Sequence, residues 1–151
     1  MIFTRDMQDL INLFSKYQVK YVLVGGYAVN YYGYVRTTLD IDFLIYPSKK
    51  NAKKVMAALE EFGFGKAGIP KDFFEKKGGV VHLGVEPNRI DLLTHLPGID
   101  NDQIFKNYQT TKIEDITVNI IALEDLIQSK KKSKRLRDMA DAEELEKINK
   151  N

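Results

Sequence analysis

Cysteine is absent from the 151-residue sequence, which excludes a disulfide framework, thiolate metal sites and cysteine nucleophiles and suits a reducing compartment. Charge of either sign is hardly in excess. With 23 lysines and arginines against 21 aspartates and glutamates, net charge selects no partner class, so any basic patch must be local. No apolar run reaches the roughly 20 residues that span a bilayer. The opening MIFTRDMQDLI also lacks a cationic start followed by a sustained apolar core. The expectation is a cytoplasmic protein without membrane contact. Internal repeats and low-complexity linkers are missing too. What remains is a globular composition, 44% hydrophobic and 29% charged. The length suffices for one domain with a sizeable core and is too short for two.

Hydrophobic spacing divides the chain. Thr4 reads as the N-cap of a helix with Met7, Leu10, Ile11 and Phe14 on one face, ending near Tyr17. Lys20 to Val24 reads as a buried strand stopped by Gly25-Gly26, where a tight turn leads to a short helix over Tyr27 to Tyr32. Leu39 to Tyr46 reads as a second strand, and Ser48 caps a helix that buries Val55, Met56, Leu59 and Phe62 before Gly63. The irregular stretch from Phe64 to Gly79 holds a short helix near Asp72 to Lys77 and reads as a loop over a site. VVHLGV and IDLLTHL then form a hairpin about Glu86-Pro87-Asn88-Arg89, with Pro87 second in the turn. A short helix over Ile99 to Tyr108 and one or two strands within residues 110–123 precede a helical end. The whole predicts one α+β domain over 1–151, a mixed sheet flanked by helices in three layers. Its core occupies about 1–121 and a helical segment about 122–151.

The unusual feature is a strand carrying Asp40 and Asp42 two residues apart. Side chains alternate along a strand, so both carboxylates share one face while Ile41 and Phe43 take the other. Half-burying two like charges is costly, and a cation should sit beside them. Arg36 is one candidate. A hard divalent cation held by carboxylate oxygens is the other. Asp91, inside the apolar run Ile90 to Leu93, is the third carboxylate that such a site would use. Gly25 and Gly26, lacking Cβ atoms, let their amides approach phosphate oxygens, which places an anion site opposite a cation site. A nucleoside triphosphate with magnesium needs that combination.

These residues resemble the DNA polymerase beta-like nucleotidyltransferase superfamily in its minimal and toxin-type branches. The likeness is carried by VGG at 24–26, RTTLDID at 36–42, RIDL at 89–92, and LEDLIQSK at 123–130 followed by RLRDMAD at 135–141. The resemblance implies the nucleotidyltransferase fold and a divalent-metal site of Asp40, Asp42 and Asp91. It implies two Mg2+ ions, with Mn2+ as a substitute, and Asp91 as the group that receives the proton of the attacking hydroxyl. It further implies transfer of a nucleoside monophosphate from a nucleoside triphosphate such as ATP to a hydroxyl of RNA, protein or a small molecule, with release of pyrophosphate. A toxin-antitoxin or defence setting goes with that branch. Many members have Gly-Ser where this chain has Gly25-Gly26, a pair common in the toxin-type branch.

Gly25, Gly26, Arg36 and Lys130 are the expected nucleotide-binding residues, Lys130 through its match to a lysine near the triphosphate. No separate acceptor-binding domain is evident, so a partner protein or a second copy is expected to complete acceptor recognition. The run KKKSKRLR at 130–137 reads as a solvated helix face, and as the place where an RNA acceptor would touch. His82 and His95 have no zinc spacing and read as structural. Tyr27, Tyr31, Tyr32 and Tyr34 read as core packing ahead of base stacking. Two other readings remain open at this level: an idle nucleotide-binding or partner-binding module of the same fold, and an RNA-binding protein that uses the basic run.

Overall fold

Thr4 Oγ1 accepts a hydrogen bond from the Met7 backbone N–H at 3.2 Å and opens helix α1 (Arg5–Lys16), whose Met7, Leu10, Ile11 and Phe14 are buried together. This computed structural model describes residues 2–65 and 67–150. Strand β1 (Tyr21–Val24) runs directly into helix α2 (Gly25–Tyr31). Strand β2 (Asp40–Ile45) follows, then helix α3 (Lys49–Phe62), capped by Ser48 and ended by Gly63 at φ +102°. A 3-10 turn (Phe73–Glu75) leads to strands β3 (Val80–Leu83) and β4 (Arg89–Leu93). Helix α4 (Asn101–Asn107), strands β5 (Gln109–Ile113) and β6 (Ile116–Ile120), and helices α5 (Leu123–Lys132) and α6 (Leu136–Ile148) complete the chain.

Among the described residues the strands form one mixed sheet in the order β3-β4-β2-β1-β6-β5. β2 lies antiparallel to β1 and parallel to β4, with Asp40 opposite Arg89 and Asp42 opposite Asp91. Paired residues share a face. Tyr21, Leu23, Phe43 and Ile45 therefore point one way, and Phe14 of α1 meets the rings of Tyr21 and Phe43 at 5.1 and 5.7 Å. Asp40, Asp42 and Asp91 point the other way, where Leu126 of α5 contributes to the cleft wall. This is the α+β sheet that the sequence predicts. Buried Asn51 fixes α3 to the strand ends: its Oδ1 accepts from Lys20 N at 2.7 Å, and its Nδ2 donates to the carbonyls of Lys20 and Tyr46. No helix is long and apolar enough to cross a membrane among the described residues.

Four local expectations change. Helix α2 begins at Gly25, two residues before the expected start, because chain without Cβ atoms passes from strand to helix with no intervening turn. The β3–β4 turn closes from Asn88 N to Val85 O at 3.1 Å, so Pro87 stands third in it and not second. The described residues of the 64–79 stretch do not line the carboxylate cleft; its 3-10 turn packs against α3 instead, with Phe74 fully buried in the core. The expectation at Lys66 lies outside the described residues. The run 130–137 is not one helix face. It breaks at 133–135 between α5 and α6.

An ion-pair network joins that helix pair to the body. Arg36 donates from Nε and NH2 to the two oxygens of Asp141, both at 2.8 Å, and Lys130 Nζ lies 2.8 Å from Asp138 and 3.1 Å from Asp141. Asp141 is 1% exposed. Burial pushes the pKa of its carboxyl up, but the hydrogen bonds from Arg36 and Lys130 outweigh that and hold it below the usual range. Asp141→Ala strands Arg36 and is expected to cost about 3 kcal/mol in urea unfolding at pH 7. Because the folded pKa is depressed, the wild-type advantage is complete above the ordinary carboxylate range and fades as pH falls below about 4. Equal unfolding midpoints at pH 7 would show that the network does not hold α6.

Candidate active site

The parallel register of β2 and β4 sets Asp42 beside Asp91, and the two-residue strand period adds Asp40 on the same face. One oxygen from each of the three carboxylates lies within 4.8 Å of the others. They sit in a cleft of about 520 Å³ whose walls include Gly25, Gly26, Thr38, His82, Arg89, His95, Ser129 and Lys130. A groove of about 600 Å³ at the other end of β1 and β2 is lined by Tyr46, Phe105 and Tyr108. Its carboxylate, Asp102, is engaged by the Tyr46 hydroxyl at 2.8 Å, and it assembles no comparable cluster.

The three carboxylates are not equivalent. Arg89 donates from Nε to Asp91 Oδ1 at 2.8 Å and from NH2 to Asp40 Oδ2 at 2.8 Å and Asp91 Oδ2 at 3.1 Å. His82 Nδ1 donates to Asp91 Oδ1 at 2.7 Å when Asp91 is ionised. Burial pushes the Asp91 pKa up, but the bonds from Arg89 and His82 bring it below its ordinary value. Asp40 goes the other way: burial first, then the neighbouring charge of Asp91, raise it against the pull of Arg89. Among the described residues Asp42 has no cation bonded to it. Its burial, followed by the charges of Asp40 and Asp91, pushes its pKa up to about 8. An oxygen-only donor set with one carboxylate lacking a positive partner fits a hard divalent cation.

The glycine pair has a steric reason as well. Gly25 has φ +67°, and a Cβ there would fall on Asp42 Oδ2. A Cβ at Gly26 would come within 2.7 Å of Thr38 Oγ1. The glycines thus let β2 and its carboxylates pack directly against the start of α2, and both line the cleft.

Several assignments move. Arg36 is not the cation beside Asp40; Arg89 is, because the strand register places it opposite Asp40 while Arg36 turns to Asp141. Lys130 borders the cleft but is committed to Asp138 and Asp141. His82, read as structural from the sequence, lies at the carboxylate cluster. It is half-exposed, sits on the cleft face of β3 and touches Asp91. No local signal marks it, since the contact depends on the register that pairs His82 with Asp91. The tyrosines behave as expected of packing groups: Tyr27 stacks on Phe3 at 5.9 Å and the Tyr32 hydroxyl donates to Ile121 O at 2.7 Å.

The family model described as "Nucleotidyl transferase of unknown function (DUF2204)" matches residues 3–151. No curated protein matches the sequence. Among solved structures, the chain is similar to the lincosamide antibiotic adenylyltransferase LnuA in its lincomycin-bound form. The two are 20% identical, with a TM-score of 0.58 over 97% of this chain and 99% of that one. It is also similar to an antigenic nucleotidyltransferase-like protein from Paracoccidioides brasiliensis, at 15% identity and a TM-score of 0.55 over 97% and 77% of the two chains. These likenesses show a shared fold.

The electrostatics of Asp42 predict an inverted pH response. Its carboxyl keeps its proton to about pH 8 when folded, but only to about 3.9 when unfolded. Its contribution to stability is therefore complete below the unfolded value and is lost as pH climbs through the folded one. Asp42→Asn, melted in EDTA, is expected to match wild type near pH 4 and to exceed it at pH 8. A gain of about 1 kcal/mol corresponds to ~2–4 °C. A variant that melts below wild type at pH 8 would refute the repulsion.

Proposed function

The chain belongs to the nucleotidyltransferase family described as DUF2204, and from that membership we propose that it transfers a nucleoside monophosphate from a magnesium-bound nucleoside triphosphate to a hydroxyl acceptor, releasing pyrophosphate. The observation that carries this reading is the approach of Asp40, Asp42 and Asp91 within 4.8 Å in a cleft shared with Gly25 and Gly26. Asp40, Asp42 and Asp91 would hold the cation, magnesium or manganese. When bound, it supplies positive charge that stabilises the attacking and leaving oxygens of an in-line displacement.

The remaining steps belong to the chain. Gly25 and Gly26 hold the triphosphate by their backbone N–H groups. Arg36 and Lys130, held in their ion-pair network, border that site. The acceptor oxygen forms its bond to the α-phosphorus as the bond to the pyrophosphate oxygen breaks. Asp91 receives the hydroxyl proton, and His82, bonded to Asp91 and half-exposed, stands between that carboxyl and solvent. ATP is the first donor to test, and a small hydroxylated molecule the first acceptor, because one similar structure is an antibiotic adenylyltransferase. A toxin-antitoxin setting predicts RNA or a protein side chain in its place.

Transfer from labelled nucleoside triphosphates to small hydroxylated compounds, RNAs and proteins tests the reading. Wild type is expected to label at least one class in the presence of Mg2+. Asp42→Asn is expected to label it at least about a hundredfold more slowly, equivalent to ~2.7 kcal/mol of lost transition-state stabilisation. Equal labelling by the variant would overturn the assignment.

A further inference from the structure

We infer that the triphosphate is gripped by Arg135 and Arg137, whereas Arg36 and Lys130 serve chiefly as the scaffold that positions them. Four basic side chains besides Arg89 line the cleft: Arg36, Lys130, Arg135 and Arg137. Two of them are already spent. Arg36 makes two 2.8 Å bonds to Asp141, and Lys130 contacts Asp138 and Asp141 at 2.8 and 3.1 Å, with 15% and 12% of their side chains exposed. At Nε and NH2 of Arg36 and at Nζ of Lys130 a phosphate must compete with a carboxylate, which leaves Arg36 only NH1, itself donating to the Thr37 carbonyl at 3.3 Å. Arg135 and Arg137 differ. Among the described residues neither has a carboxylate within 4.0 Å, and both are exposed where they line the cleft.

Their placement points to the triphosphate end of the cleft. Arg137 NH2 reaches the Thr37 carbonyl at 3.5 Å, one residue from Thr38, which packs against Gly26. Arg135 lies immediately before α6, where Ser133 Oγ accepts its backbone N–H at 3.2 Å and also donates to Asp138 at 2.7 Å. The Asp138 and Asp141 pairs thus hold the start of α6 over the cleft and leave two guanidinium groups there that, among the described residues, are in contact with no carboxylate, although the charge of Arg135 reaches Asp138. Planar guanidinium donors match phosphate oxygens in pairs. Lys134 belongs to the same basic run but is exposed outside the cleft lining, so it separates local contact from diffuse charge.

This inference rests on the nucleotidyl-transfer reading, and its test separates the two. Calorimetry uses the full chain with magnesium and either inorganic tripolyphosphate, which needs no knowledge of the base, or each of the four nucleoside triphosphates. Arg135→Gln and Arg137→Gln are each expected to weaken binding about tenfold, with Arg→Lys restoring part of the loss and Lys134→Gln within about twofold of wild type. Thermal midpoints of these exposed-site variants are expected to stay at the wild-type value, unlike that of Lys130→Gln. Wild-type binding that survives both Arg→Gln changes would overturn the inference alone. Equal weakening by Lys134→Gln would also overturn it, reducing the effect to general charge. Failure of wild type to bind any of the probes would overturn the transfer reading and the inference with it.

Discussion

Repulsion among three carboxylates on two adjacent strands is the constraint around which this molecule is arranged. The parallel pairing of β2 with β4 places Asp42 beside Asp91, and strand periodicity puts Asp40 on the same face. A purely structural sheet would not keep three acids there without cations, since each raises the cost of ionising the next. Arg89 meets part of the charge, on Asp40 and Asp91, and leaves Asp42 as the carboxylate most in need of a positive partner. That residual demand is what a bound cation would meet, and until it is met it lowers the stability of the chain.

The basic residues divide into two kinds of work. Arg36 and Lys130 spend their donors on Asp141 and Asp138, anchoring α6 where those carboxylates are buried or half-buried. Arg135 and Arg137 sit at the start of the helix so anchored, exposed at the cleft. A cation next to an anionic ligand is useful only if it is not already neutralised. Fixing one pair through ion pairs therefore makes it possible to present the other pair free.

Much of the architecture was legible in one dimension. The 3.6-residue spacing of Met7, Leu10, Ile11 and Phe14, the Ser48 cap and the Gly63 stop are local signals, and each appears in the structure as the sequence implies. Asp40 and Asp42 on one strand face follow from alternation alone. The involvement of Arg89 and His82 was not legible, because it depends on which strand lies beside which: Arg89 opposite Asp40 and His82 opposite Asp91 are consequences of pairing register. The break in the 130–137 run was obscured by its uniform charge, which reads as a single helix face until Ser133 and Asp138 are seen to bond across it.

By itself the sequence determined the element types, the shared face of Asp40 and Asp42, and the superfamily resemblance, because periodicity, caps and short motifs are properties of neighbouring residues. The sequence also named Asp91 as the third carboxylate, but only the tertiary structure showed that strand pairing sets it beside Asp42 and that Arg89 is the internal counterion. The structure alone also showed that Gly25 must lack a side chain to make room for Asp42, and that Arg36 and Lys130 are committed while Arg135 and Arg137 are not. Those facts concern groups up to 105 positions apart, as Arg36 and Asp141 are. Charge is balanced by proximity in space, which local pattern does not encode.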